Sequence, residues 1–227
     1  MLDVLLPGRC AGCGKGRWPF CEECAAAIGV ITPPLCLRCG RPGEIQMAGC
    51  ADCPPPSVHA ARSPFLYAGP VARAVRAVKF SGWSSLAPVF AGAMAEALAD
   101  ALEGWSPRAI SWVPLAPRRA AKRGYDQARL LAYALARILA LRPVGLLSRV
   151  RETPPQARRG AEERRRALQG AFVARPSPPD VLLVDDVLTT GATAAACAEA
   201  LARLGASRVV LVTAARSLGG RLPARCR

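Results

Sequence analysis

The run Val181-Leu182-Leu183-Val184-Asp185-Asp186-Val187-Leu188-Thr189-Thr190-Gly191-Ala192-Thr193 decides how this chain is read. Its four leading apolar residues predict a strand over 180–184 that is buried on both faces. Two carboxylates close the strand. A hydroxyl-rich turn around Gly191 then opens into an Ala-rich stretch that predicts a helix over about 191–204. Backbone N–H groups at a helix start, joined by the hydroxyls of Thr189, Thr190 and Thr193, make a compact cradle for a phosphate dianion. Asp185 and Asp186 would repel phosphate; they suit ribose hydroxyls, or a Mg2+ ion reached through water. A phosphate cradle beside two acids describes a ribose 5-phosphate site. A P-loop is excluded, because no Gly-Lys-Ser or Gly-Lys-Thr follows the strand.

Outward from this turn, apolar segments alternate with longer amphipathic ones. Helices are predicted at 70–80, 85–103 and 119–141, with further strands at 109–113 and 208–213. Strands separated by helices imply an α/β fold, a parallel sheet with helices on both faces. Ligands of such sheets bind beyond the carboxyl ends of the strands, where the Thr-rich turn lies.

Hydrophobic residues make up 52% of the 227, which excludes a disordered chain and supplies one substantial core. No apolar run reaches the roughly 18 residues of a membrane span, since Glu96 and Asp100 interrupt the longest one. No membrane insertion is expected. Residues 1–10 lack a basic start and a long apolar stretch, so a cytoplasmic protein without a signal peptide is expected. The formal charge is +15, and residues 1–57 hold five basic and five acidic residues, so all of the excess lies downstream. Such a field attracts polyanions, phosphorylated metabolites or nucleic acid. An Arg-rich compositional bias is the competing explanation, because Lys15, Lys79 and Lys122 are the only lysines.

Eight of the ten cysteines form four Cys-x-x-Cys pairs, Cys10/Cys13, Cys21/Cys24, Cys36/Cys39 and Cys50/Cys53. Each spacing aims two thiolates at one ion, and two pairs complete a tetrahedral zinc site. Two structural Zn2+ ions are expected, with no ligand position left for catalytic water. A disulfide framework competes, but the regular doublets without a signal peptide favour metal. Sequential pairing is simplest, and a cross-braced arrangement stays open. Eight thiolates and two Zn2+ ions would make this module acidic. Cys197 reads as a core residue, Cys226 as inert, and His59 as a spare ligand that eight cysteines make unnecessary. Pro54-Pro55-Pro56 reads as a stiff linker, dividing a zinc-ribbon module at 1–57 from a second domain at 58–227.

The run at 181–193 resembles the PRPP-binding motif of type I phosphoribosyltransferases: an apolar strand, two acids, two apolar residues and Thr-Thr-Gly-x-Thr in register. Other segments sharpen the likeness. They are Val113-Pro114-Leu115-Ala116-Pro117 with Arg118 and Arg119, Arg123-Gly124-Tyr125-Asp126-Gln127, Arg151 with Thr153 and Gln156, Glu163-Arg164, and Gly170-Ala171-Phe172. Together with the cysteine doublets they are similar to the ComF family, which includes the ComFC and GntX proteins. One departure is Ala167, where that family pattern would place Asn before the Gly-Ala-Phe segment.

The resemblance implies a type I phosphoribosyltransferase-like domain preceded by a double zinc ribbon. It implies a PRPP site in which Thr189, Thr190, Gly191, Ala192 and Thr193 hold the 5-phosphate. Asp185 and Asp186 would hold the ribose as the catalytic acids, with Mg2+ accompanying PRPP. Arg118, Arg119 and Arg123 would clamp the diphosphate. The segment from Arg149 to Arg166 would be a lid, with Arg151, Gln156 and Arg164 as its functional positions; a nucleic-acid-facing patch and a solvated loop are its competing readings. Two functions follow. One is transfer of a phosphoribosyl group from PRPP to an acceptor that the sequence does not name. The other is a PRPP-sensing or single-stranded-DNA-binding accessory protein, with a competence helicase or uptake proteins as partners. No general base is evident, and Thr189 stands where purine-salvage enzymes carry an acid, which disfavours an oxopurine acceptor.

Overall fold

The structure, a computed structural model, describes residues 8–43, 50, 52–151 and 166–218. In chain order the elements are α1 (Glu22–Ala26), β1 (Ala60–Arg62), β2 (Phe65–Leu66), α2 (Gly69–Phe80), α3 (Leu86–Ala97), α4 (Ala99–Leu102) and β3 (Ala109–Trp112). There follow α5 (Pro117–Arg123), α6 (Gln127–Ile138), β4 (Leu147–Arg149), β5 (Phe172–Ala174), β6 (Asp180–Leu188), α7 (Ala192–Ala202) and β7 (Arg208–Arg216). The central sheet is parallel, in the order β1-β7-β6-β3, with β2 continuing β1's pairing along β7. β4 and β5 form a separate antiparallel pair.

Side chains alternate along β6 and β7 and split the core in two. Leu182, Val184, Val210 and Val212 pack with Val71, Phe90, Met94, Leu131 and Leu135 from α2, α3 and α6. Val181, Leu183, Val209 and Leu211 pack on the other face with α7, Leu147 and Phe172. Helices therefore cover both faces of an α/β sheet, as the sequence reading expected.

Three boundaries differ from that reading. β6 does not stop at Val184; it pairs with β7 as far as Leu188 opposite Arg216, because β7 itself runs to Arg216 and offers a partner. The helix expected over 119–141 is two helices. Gly124 ends α5 in the left-handed region at φ 74°. The Asp126 side chain then starts α6 by accepting from the N–H groups of Ala128 and Arg129. The helix expected over 85–103 likewise divides at Leu98 into α3 and α4.

Two arginines buried at 4% and 1% exposure tie the cysteine-rich segment to the sheet. Arg62 of β1 donates to Asp100, at 2.7–3.0 Å, and to the Leu37 carbonyl at 3.0 Å. Arg216 of β7 donates to the carbonyls of Cys39 and Asp52. Pro54 follows the last cysteine, and its carbonyl accepts from Arg38 at 2.8 Å. Replacing Arg62 strands the Leu37 carbonyl and returns half-exposed Asp100 to water. Arg62→Met should cost about 2 kcal/mol. That corresponds to a melting midpoint about 4–8 °C lower for a chain of this size, read by calorimetry on zinc-loaded protein.

Candidate functional site

The cysteines assemble into two tetrads, Cys10/Cys13/Cys21/Cys24 and Cys36/Cys39/Cys50/Cys53, and the ligand atoms within each lie within 4.8 Å of one another. Pairing is sequential. Individual Sγ separations are 3.8 Å for Cys13–Cys21, 3.6 Å for Cys36–Cys53 and 3.5 Å for Cys39–Cys50. A tetrahedral ion with Zn–S bonds of about 2.3 Å holds its sulfurs about 3.8 Å apart, whereas a disulfide needs about 2.05 Å. The donor set thus fits structural zinc. Backbone N–H groups of Gly12, Lys15 and Cys50 point at the sulfurs of Cys10, Cys13 and Cys53, the polarity thiolates require. Burial opposes ionisation of Cys10, but N–H donors from Cys21, Cys13 and Gly12 outweigh it and bring the thiol down to about 6. His59 stays outside both tetrads, its Nδ1 accepting from the Val209 N–H. Cys197 is fully buried in the core, as expected.

At the carboxyl end of β6 lies an open, shallow cleft lined by Asp185, Thr189, Gly191, Ala192, Thr193 and Thr213 among others. Gly191 is indispensable there for two reasons. Its φ is +72°, and a Cβ would stand 2.5 Å from that of Pro54. The segment leaving the second cysteine tetrad therefore walls the turn where the phosphate cradle was expected. α7 begins immediately after, at Ala192, so its first N–H groups lie at this turn. Thr190 is half-buried beside the cleft without lining it.

The acidic pair divides between the two faces of the sheet. Asp185 follows Val181 and Leu183 onto the α7 side and lines the cleft, its Oδ1 accepting from the Asp186 N–H at 2.8 Å. Burial, reinforced by the neighbouring Asp186 charge and opposed by Lys79, pushes its carboxyl up to about 8. Asp186 follows Leu182 and Val184 onto the other face, is 7% exposed, and does not line the cleft. There its Oδ2 receives the Lys79 ammonium at 2.6 Å and the Gln127 amide at 2.9 Å. The sequence reading missed Lys79. It sits in the last turn of α2, far from β6 along the chain, and no local spacing announces it.

The expected clamps do not converge as a set. Arg118 and Arg119 are exposed in the first turn of α5. Arg123 is committed elsewhere, donating to Gln127 Oε1 at 3.1 Å and stacking on Phe80 with its guanidinium carbon 4.7 Å from the ring centre. Arg151, at the edge of the β4–β5 pair, is exposed and donates to the Gln169 carbonyl. Gln156 and Arg164, with most of the expected lid, lie outside the described residues, as does Cys226.

A pair of four-cysteine knuckles docked on a parallel α/β sheet, with a hydroxyl-lined turn at the carboxyl end of its central strand, defines the class: a double zinc ribbon joined to an α/β domain. Residues 1–54 match the double zinc ribbon domain family model. The chain is 32% identical to the DNA utilization protein YhgH of Salmonella typhimurium, over 95% of this chain and all of that one. It is 29% identical to competence protein F of Haemophilus influenzae, over 95% and 93% of the two chains. Among solved structures, TT1426 from Thermus thermophilus aligns at 17% identity with a TM-score of 0.36, over 60% of this chain and 86% of that one. The protein belongs to the ComF family, together with the YhgH and competence F proteins. Among the described residues no helix is long and apolar enough to cross a membrane.

Two outcomes follow. Purified chain should release two equivalents of zinc when its thiols are titrated with a mercurial and the freed metal is measured by a colorimetric chelator; Cys39→Ser should release one. Gly191→Ala combines a left-handed backbone with a collision against Pro54 and should destabilise the fold by about 2 kcal/mol or more in urea titrations.

Proposed function

We propose that this chain binds PRPP at the carboxyl end of β6 and transfers its phosphoribosyl group to an acceptor. The observation that carries this reading is the cleft itself, in which a carboxyl and three threonines surround a glycine-dependent turn that opens a helix. A phosphate dianion gains the hydroxyls of Thr189 and Thr193 and the first N–H groups of α7, with Thr190 at its margin. Asp185 meets the ribose hydroxyls, and Asp186 supports the same strand end from behind. In transfer, the bond between the anomeric carbon and the diphosphate oxygen breaks, and charge accumulates on the leaving group. Arg118 and Arg119, and Arg151, Gln156 and Arg164 of the expected lid, are the groups proposed to neutralise and enclose it. Mg2+ carried on the diphosphate supplies further charge neutralisation when PRPP is bound.

A second reading is favoured by the commitment of Arg123 to Gln127 and Phe80 and by the absence of a histidine among the described residues lining the cleft. In it the chain senses PRPP without turnover and acts on single-stranded DNA, in keeping with the names of its relatives and the basic charge beyond residue 57. A competence helicase or DNA-uptake proteins are then its partners in the cytoplasm.

Calorimetry with PRPP on zinc-loaded protein tests the shared premise, with binding in the micromolar range expected; absence of heat at millimolar PRPP overturns both readings. Diphosphate release with a panel of nucleobases, with and without single-stranded DNA, separates them. Release that Asp186→Asn lowers by about tenfold or more supports transfer. Tight binding without release supports sensing.

A further inference from the structure

Lys79 and Asp186 form the closest ion pair at the strand end, and the surroundings of that pair are ordered to preserve it. The ammonium lies 2.6 Å from Oδ2, and Gln127 Nε2 donates to the same oxygen at 2.9 Å. Gln127 is 4% exposed and is held in turn by Arg123. Arg123 stacks on Phe80, the residue following Lys79, so the chain of contacts returns to α2. The Asp186 and Lys79 side chains are 9% and 26% exposed. In a chain with 31 basic residues and only three lysines, a lysine stands here. An ammonium is a compact point charge with three donors, whereas a guanidinium is a planar fork suited to grasping both carboxylate oxygens. At a single oxygen, an ammonium resembles a bound cation.

We propose that Lys79 is the resident cation of Asp186, a positioning residue that fixes this carboxylate and occupies the place a divalent ion would need on it. Magnesium requires several oxygens in near-octahedral array and repels a fixed positive charge nearby. The Asp186 oxygen that faces inward already has two donors, and Asp185 extends to the other face of the sheet. The two acids therefore do not form an open cage for a metal, despite their adjacency in sequence. Building on the sugar-phosphate reading above, the pentose phosphate end of the ligand is received without a protein-bound metal, and any Mg2+ is carried on the ligand's diphosphate alone.

The test uses the zinc-loaded full chain and two probes, Mn2+ and ribose 5-phosphate. In Mn2+ titrations followed by electron paramagnetic resonance, the wild-type chain should bind no ion that depends on Asp186. Lys79→Met should acquire one such ion, lost again in the Lys79→Met, Asp186→Asn double variant. In calorimetry, ribose 5-phosphate should bind the wild type within twofold of the same affinity with and without Mg2+. Lys79→Met should bind it about tenfold more weakly without Mg2+ and recover in part when Mg2+ is added, and Lys79→Arg should fall between. A loss of packing alone predicts neither a new Mn2+ site nor rescue by Mg2+. An Asp186-dependent Mn2+ site in the wild type overturns the proposal, as does a Lys79→Met chain that matches wild type in both assays. Should Lys79→Met not fold, the two wild-type measurements still decide. Failure of the wild type to bind ribose 5-phosphate at all strikes the sugar-phosphate reading instead, and the Mn2+ arm continues to judge Lys79.

Discussion

The parallel pairing of β6 with β7 is the constraint on which the rest of the molecule depends. Its register runs from Asp180 opposite Arg208 to Leu188 opposite Arg216, beyond the point where the apolar sequence ends. Each strand is buried on both faces, so along Val181–Val184 and Val209–Val212 successive side chains go alternately to the two cores, an alternation that shifts phase beyond the acids, where Val187 packs with the first core and Leu188 with the second. That parity is what separates Asp185 from Asp186. The length of the pairing carries Arg216 to the far end of the sheet, where the guanidinium finds the carbonyls of Cys39 and Asp52. A strand pair ending at Val184 would leave the buried arginine without these acceptors and the Thr-rich turn without a wall.

The cysteine-rich segment is consequently packed against the turn at the end of β6 and is more than a tethered ornament. Small modules of this size bury too little apolar surface to hold a fold alone, and metal supplies the missing free energy. Here the second tetrad also presents backbone to the sheet. Leu37 and Cys39 lend carbonyls to Arg62 and Arg216, Gly40 approaches the Ala61 carbonyl closely, and Pro54 closes on Gly191. In the proposed phosphate-binding reading, the turn must keep its N–H groups aimed before the ligand arrives, because ordering them on binding would consume affinity. Pro54 contributes rigidity at that place, since its own ring fixes one backbone angle.

Much of this was legible in the sequence, and the misses have physical causes. The cysteine doublets were readable because each spacing carries its own turn chemistry, and sequential pairing matched the simplest expectation. The run at 181–193 was readable for the same reason, with strand, acids, turn and helix each locally determined. The extension of β6 was not, because acids at a strand end look like a terminus until the partner strand is known. The break at Gly124 and Asp126 was written in a left-handed glycine and an N-cap, and was hidden by the apolar period running on either side. β1, β2, β4 and β5 are two or three residues long, too short to show any period. Lys79 and Gln127 acquire meaning only once α2 and α6 pack on the same face as Asp186.

The distribution of charge shows why such distant residues matter. A strongly basic chain draws anions to its surface, but a general field cannot orient one. Orientation needs a few charges that are immobilised and partly dry. Among the described residues Asp186 at the end of β6 meets that condition, held by the Lys79 ammonium and by the Gln127 amide that Arg123 holds in turn. Arg118 and Arg119 of α5 face outward and are exposed, whereas the inward Lys79 is single and paired with Asp186. In the proposed sugar-phosphate reading the exposed arginines draw the anion in, while Lys79 acts from behind by fixing Asp186, so affinity there is governed less by the count of basic residues than by the one anchored on the strand end.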